Sequence, residues 1–129
     1  MLKKLKLKVL IIDDEKDLRL TIKEVFELFG WEVHDAENGK KGAEKMLGDK
    51  YDFVISDIRM PVATGIDFLK QVPDEMKSAT PIIMMSAYSD YSEKAVQQLG
   101  ARKLIPKPIS ISDLVREMEA LHIPGSKAA

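Results

Sequence analysis

Side chains able to do chemistry recur at one kind of place in this sequence, just past the end of a short aliphatic run. Val9-Leu10-Ile11-Ile12 runs into Asp13, Asp14 and Glu15, and Phe53-Val54-Ile55-Ser56 runs into Asp57. Pro81-Ile82-Ile83-Met84-Met85 ends at Ser86, and Lys103-Leu104-Ile105 is cut off by Pro106-Lys107-Pro108. Each of these has an ordinary explanation when taken alone. Acidic residues favour a helix N-terminus by about 0.3–1 kcal/mol each, an aspartate opens turns, a serine caps, and a lysine between prolines decorates a surface. Their joint placement is what argues for a site. If the runs are neighbouring parallel strands, all of these groups gather at one sheet edge, where ligands bind in open α/β sheets.

Such a gathering needs cations. Two like charges ~4 Å apart repel by about 4 kcal/mol at an effective dielectric near 20. Asp13, Asp14 and Asp57 would share a pocket with one ammonium, that of Lys107, which cannot neutralise three carboxylates. A bound metal is the expected remainder. Oxygen-only ligands select a hard ion, and Mg²⁺ fits best because it takes one or two carboxylates together with waters and a substrate phosphate.

The elements that must position these groups follow from periodicity. Leu18, Ile22, Val25, Phe26 and Phe29 fall on one helical face, closed by Gly30. Trp31 to Ala36 alternates as a strand nearer the edge. Asn38-Gly39 marks a turn before a short helix carrying Ala43, Met46 and Leu47. A helix after Pro61 turns Ile66, Leu69 and Val72 inward, and Pro73 to Thr80 reads as a polar connection. A fourth helix starts near Asp90, with Glu93 in a capping-box arrangement. It carries Ala95, Val96 and Leu99, and ends at Gly100. The last helix, from about Ser112, groups Leu114, Val115, Met118 and Leu121. Five strands alternating with five helices imply parallel pairing through right-handed crossovers. The natural small solution is a doubly wound, flavodoxin-like (βα)5 fold, a five-stranded parallel sheet in the order 2-1-3-4-5. In that order Pro106 lies on an edge strand, where a missing ladder bond is tolerated.

With 129 residues the chain suits one domain with a real core. A formal charge of -1 gives no electrostatic case for nucleic acid as a direct partner. The absence of cysteine excludes disulfides and thiolate chemistry. No apolar run reaches the ~20 residues of a membrane span, and the lysines at 3, 4, 6 and 8 are not followed by a signal-peptide core. A cytoplasmic setting with no membrane partner is the expectation.

Five motifs now stand in order: Ile-Ile-Asp13-Asp14-Glu15, Ser56-Asp57-Ile58-Arg59-Met60-Pro61, Gly65 beyond it, Met85-Ser86-Ala87, and Lys107-Pro108. The chain resembles the response-regulator receiver domains of two-component signalling from about residue 8 to 121. The resemblance implies a receiver domain over 1–123, with 124–129 a tail or the start of a linker. It implies that Asp57 is the phosphoacceptor, that Asp14, Asp57 and the Arg59 carbonyl ligate Mg²⁺, and that Asp13 holds the ion largely through water. Ser86 and Lys107 would each engage a phosphoryl oxygen, and the Lys107-Pro108 bond would be cis. A sensor histidine kinase or phosphotransfer protein would donate the phosphoryl group. The changed surface of the fourth helix, fifth strand and last helix would regulate a downstream protein or output domain. A phosphorylation-dependent homodimer is compatible with this, as are a stand-alone regulator and a piece of a longer one.

Two departures stand out. The family's aromatic residue three positions before the lysine is here Leu104, and Ile109 follows Lys107-Pro108 where phenylalanine is usual. Arg59 and Tyr88 occupy positions that line the pocket mouth in the family. Rival readings remain: an interaction module of this shape that is never phosphorylated, a Mg²⁺-dependent aspartyl phosphatase, and a flavin mononucleotide carrier. The phosphatase would want a second acid where Arg59 stands. Asp13-Asp14-Glu15 would repel a flavin phosphate, and the interaction module usually lacks one of the acids, the hydroxyl or the lysine. Asp52 is a poor rival acceptor, ~16 Å from Asp57 along the strand at 3.3 Å per residue.

Overall fold

The aliphatic runs become strands of a five-stranded parallel sheet, whose three central strands are buried along nearly their whole length. A computed structural model describes residues 6–87, 91–108 and 110–122. In chain order the elements are β1 (Lys8–Ile12), α1 (Lys16–Leu28), β2 (Glu32–Ala36), α2 (Gly39–Gly48), β3 (Phe53–Asp57), α3 (Gly65–Gln71), α4 (Asp74–Ala79), β4 (Ile82–Ser86), α5 (Glu93–Gln98), β5 (Lys103–Pro106) and α6 (Ile111–His122). The sheet order is β2-β1-β3-β4-β5 with every pairing parallel, as the alternation of elements requires. The two-residue period of each strand then sorts the core into two layers. Leu10, Ile12, Val54, Ile82 and Met84 pack on the side of α2, α3 and α5, against Met46, Phe68, Leu69 and Val96. Val9, Ile11, Phe53, Ile55, Ile83 and Met85 pack on the side of α1 and α6, against Ile22, Phe26, Leu114, Val115 and Met118.

The helices depart from their expected form in instructive ways. The described residues hold six, not five. The Pro73 to Thr80 stretch, expected as a polar connection, contains α4. Pro73 stands at its N-cap and Asp74 and Glu75 in its first turn, all favourable at a helix start. No apolar face announces it, since none of its residues is buried. Lys77 anchors it instead. The ammonium of Lys77 donates to the carbonyls of Leu69 and Leu99, both at 2.8 Å, so one cation satisfies open carbonyls at the C-terminal ends of α3 and α5.

Phe29, expected on the buried face of α1, is 42% exposed. The helix ends before it, and Gly30 at φ 91 turns the chain so that the Gly30 and Trp31 amides reach back to Glu27 and Phe26. Trp31 then takes the buried place, edge-on to Phe26 with ring centroids 5.2 Å apart. Leu47, also expected inward, is 57% exposed, while Ala43 and Met46 carry the contact of α2. Asn38 is an N-cap rather than a free turn, its side chain accepting from the Lys41 amide. α5 begins at Glu93 with Ser92 as its cap, not near Asp90, which lies outside the described residues. The Glu93 carboxylate is used elsewhere: it accepts the Leu104 amide at 3.0 Å, covering a donor on the edge strand β5. The side chain of Leu121 is likewise outside the described set.

One residue sits in a conformation its chemistry disfavours. Val62, between β3 and α3, has φ 71, and the Ala63 amide closes a tight turn across it onto the Pro61 carbonyl at 2.8 Å. A β-branched side chain in this region is strained, and Val62 is 86% exposed, so no packing compensates. Val62→Asn is therefore expected to raise unfolding stability by about 1 kcal/mol. Urea denaturation followed through Trp31 fluorescence checks this, and an unchanged midpoint would show that the turn carries no strain.

Candidate functional site

Each group singled out above lies where its strand stops. Asp13 follows β1, Asp57 is the last residue of β3, Ser86 the last of β4, and Lys107 follows β5. The register sets Asp57 beside Met85 and Ser86 beside Pro106. The Lys107 amide continues the ladder onto the Ser86 carbonyl at 2.8 Å. Four distant pieces of sequence thus meet at one edge because of the strand order.

Asp13 is wholly buried and held on several sides. Its amide donates to the Ala36 carbonyl at 3.1 Å, and its Oδ1 accepts the Glu15 amide at 2.8 Å. Its backbone carbonyl accepts Arg19 Nη1 at 2.8 Å. Its other carboxylate oxygen, Oδ2, is buried without a hydrogen bond and lies 3.6 Å from Lys107 Nζ. That ammonium donates to Asp57 Oδ2 at 3.0 Å. Carboxylate oxygens from Asp13, Asp14 and Asp57 all fall within 4.8 Å of one another. Asp13 and Asp57 are buried and Asp14 is exposed.

The electrostatics follow the geometry. Burial pushes the Asp13 carboxyl above its ordinary range, and the charges of Asp57 and Asp14 push the same way. The Glu15 amide and Lys107 only partly offset them. For Lys107 burial acts downward, but the hydrogen bond to Asp57 and the charges of Asp13, Asp57 and Glu15 outweigh it, and the net shift is upward. Three acids facing one ammonium leave the pocket anionic. An orphaned, buried carboxylate oxygen among oxygen-only donors is the setting a hard divalent cation fits. Asp13, Asp14 and Asp57 are the groups able to hold it.

The family model for the response regulator receiver domain matches residues 9–119. The chain belongs to the response-regulator receiver domains. It is 32% identical over 115 residues to the transcriptional regulatory protein CpxR of Escherichia coli K12, covering 88% of this chain and 48% of that protein. The regulatory protein AtoC of the same organism is 37% identical over 109 residues, 83% of this chain and 23% of AtoC. The chain therefore spans about half the length of CpxR and a smaller part of AtoC. Among solved structures, the chemotaxis protein CheY4 of Vibrio cholerae superposes with TM-score 0.80 at 29% identity, covering 89% of this chain and 98% of CheY4. The response regulator TrrA of Thermotoga maritima, solved in complex with Mg²⁺ and BeF, gives TM-score 0.78 at 30% identity over 91% of this chain and 99% of TrrA.

Within this receiver domain the Lys107-Pro108 peptide is cis, matching the expectation. Arg59 is exposed in the loop after β3, whereas Tyr88 and Ile109 lie outside the described residues. Leu104, at the usually aromatic position, is half-buried against the α2, α3 and α5 layer. Gly65 has a specific reason to be glycine: a Cβ there would stand 2.2 Å from the carbonyl oxygen of Asp57. Sequence reasoning named Gly65 only through the motif, and it missed Arg19 at the Asp13 carbonyl. An arginine in the first turns of a helix carries no local sign that it will reach back to a strand end.

Because folding raises the Asp13 pKa, the folded protein holds that proton more tightly than the unfolded chain does. The stabilising contribution of Asp13 is fullest below its ordinary value of 3.8 and is lost as pH rises through the higher folded value. In metal-free buffer the stability of Asp13→Asn relative to the parent protein should therefore increase as pH rises above the ordinary value of 3.8. Adding Mg²⁺ should then stabilise the parent protein and leave Asp13→Asn nearly unchanged. Urea melts at several pH values, with and without Mg²⁺, measure both effects. A pH-independent difference would contradict the assigned shift.

Proposed function

We propose that this receiver domain is a phosphorylation-activated switch in which Asp57 accepts a phosphoryl group from a phosphohistidine. The observation carrying the reading is the convergence of Asp13, Asp14, Asp57 and Lys107 on one pocket containing an unsatisfied carboxylate oxygen. In the transfer an Asp57 carboxylate oxygen forms a bond to phosphorus as the bond from phosphorus to the imidazole nitrogen breaks. The displaced imidazole leaves with the electron pair. Phosphoryl transfer asks of the protein mainly an in-line nucleophile and charge neutralisation, and a carboxylate nucleophile yields an acyl phosphate. Mg²⁺, held by Asp14, Asp57 and the Arg59 carbonyl with Asp13 acting largely through water, would supply charge neutralisation for the phosphoryl oxygens. Lys107, already on Asp57, is placed to follow one phosphoryl oxygen, and the Ser86 hydroxyl to donate to another.

The signal would then pass from Ser86 into the loop after β4 and bias the surface of α5, β5 and α6. Leu104 leaves that response without the usual ring at its centre. The domain turns over no separate substrate in this reading; it catalyses its own phosphorylation and slow dephosphorylation. Its donor is a sensor histidine kinase or a phosphotransfer protein. Its output is a partner protein or an attached effector domain, as the transcriptional relatives suggest, and its setting is cytoplasmic. No helix among the described residues is long and apolar enough to cross a membrane. Nothing in the site favours the unphosphorylated interaction module over this reading, because acid pair, acceptor, hydroxyl and lysine are all present.

Intact mass after incubation with acetyl phosphate is expected to show one added phosphoryl group, dependent on Mg²⁺. Asp57→Asn is expected to show none. Labelling that persists in Asp57→Asn, or that ignores chelation of the metal, would overturn the assignment.

A further inference from the structure

Asp13 is tied on several sides, and one of its ties comes from outside the pocket. Arg19, on α1, donates Nη1 to the Asp13 carbonyl at 2.8 Å and Nε to Asp35 Oδ2 at 2.6 Å. The Arg19 side chain is only 13% exposed and that of Asp35, on β2, 26%. The guanidinium therefore spans helix, strand and strand end. Together with the Ala36 carbonyl and the Glu15 amide it fixes the Asp13 backbone and one carboxylate oxygen. The other oxygen remains aimed toward Lys107.

The geometry points to Arg19, held by Asp35, as a positioning residue that sets divalent-cation affinity by pre-arranging Asp13. This inference rests on the reading of the pocket as a cation site. Two effects of opposite sign compete at Arg19. A guanidinium close to the acids should repel an incoming cation, so its loss would tighten binding by charge alone. Its loss would also free the Asp13 turn, and a carboxylate that must be ordered on binding binds more weakly. The second effect prevails, because Asp35 at 2.6 Å already neutralises the guanidinium while the bond to the Asp13 carbonyl is direct. The requirement is for arginine in particular. A planar fork can serve a carboxylate and a carbonyl at once, whereas an ammonium is a single point donor.

Calorimetric titration of the whole chain with Mg²⁺, beside thermal melts in EDTA, tests this. Arg19→Gln is expected to weaken Mg²⁺ binding by about tenfold, the scale for groups that orient metal ligands. Asp35→Asn is expected to weaken it less, and the double variant no more than Arg19→Gln alone. Arg19→Lys keeps the charge but not the fork, so it should fall between the parent protein and Arg19→Gln; it also serves should Arg19→Gln fail to fold. Unchanged or tighter binding in a folded variant would overturn the inference, even if its melting temperature falls, since a purely structural role moves the melt and not the affinity. If the parent protein itself binds no Mg²⁺, the cation-site reading fails and takes this inference with it. If the parent binds and Asp13→Asn does not, while the Arg19 variants match the parent, only the role of Arg19 is lost.

Discussion

The receiver domain is organised around an electrostatic debt at the end of β1 and β3. Burying two carboxylates and bringing a third within 4.8 Å sets repulsions of about 4 kcal/mol per close pair at an effective dielectric near 20. Folded domains are stable by only about 5–15 kcal/mol. The single ammonium of Lys107, at 3.0 Å from Asp57 and 3.6 Å from Asp13, relieves part of this. The remainder is held in place by the surrounding structure. Two layers of aliphatic and aromatic side chains fill both faces of the sheet, and burial of each such side chain is worth about 1.5–3 kcal/mol. A rigid, apolar frame can therefore keep an anionic pocket assembled in readiness for a cation, rather than letting the carboxylates drift apart.

That frame was legible in the sequence wherever hydrophobic burial dictates it. The four runs from Val9, Phe53, Pro81 and Lys103 became β1, β3, β4 and β5, because continuous aliphatic stretches of this length suit strands covered on both sides. Strand order followed from the alternation of strands and helices, and the site residues followed from strand order. Legibility failed where long-range polar contacts decide. α4 has no buried residue, and its anchor, Lys77, reaches carbonyls eight and twenty-two residues away. Glu93 looked like a capping residue but serves the Leu104 amide on a neighbouring strand. Phe29 had the right spacing for the core and lost the place to Trp31, because Gly30 turned the chain one residue too early for it.

The same polar contacts bear on how a change at the pocket reaches the surface. α5 is six residues long and buries only Val96, so packing alone holds it weakly. Its C-terminal end is fastened by Lys77 through the Leu99 carbonyl. The Gly100 turn has φ 108 and leaves room for the lysine stem, where a Cβ would stand 2.6 Å from Cδ. Glu93, in its first turn, is fastened to β5. Among the described residues the helix thus has a firm attachment to α3 and α4 at its C-terminal end and a carboxylate contact to β5 from its first turn. Under the proposed switch, a pull transmitted from Ser86 would act on the first turn of α5, with the end fastened by Lys77 as the pivot. The half-buried Leu104, whose own amide is the one Glu93 holds, would couple such a motion to β5 through backbone rather than through an aromatic ring.

Placing the acids on two central strands and the lysine beyond the edge strand β5 has a further consequence. Asp13 follows β1 and Asp57 ends β3, and both strands are paired on two sides. Lys107 follows a strand paired on one side only and hangs from it by a flexible stem. The anionic half of the pocket is therefore the fixed half, and the cationic half the adjustable one. A pocket built the other way would have to move its carboxylates to admit a phosphoryl group and would meet their mutual repulsion at every step. Under the proposed switch the acids would stay in place while the Lys107 ammonium, already on Asp57, adjusts, so that a covalent change at Asp57 could be answered without unpacking the core.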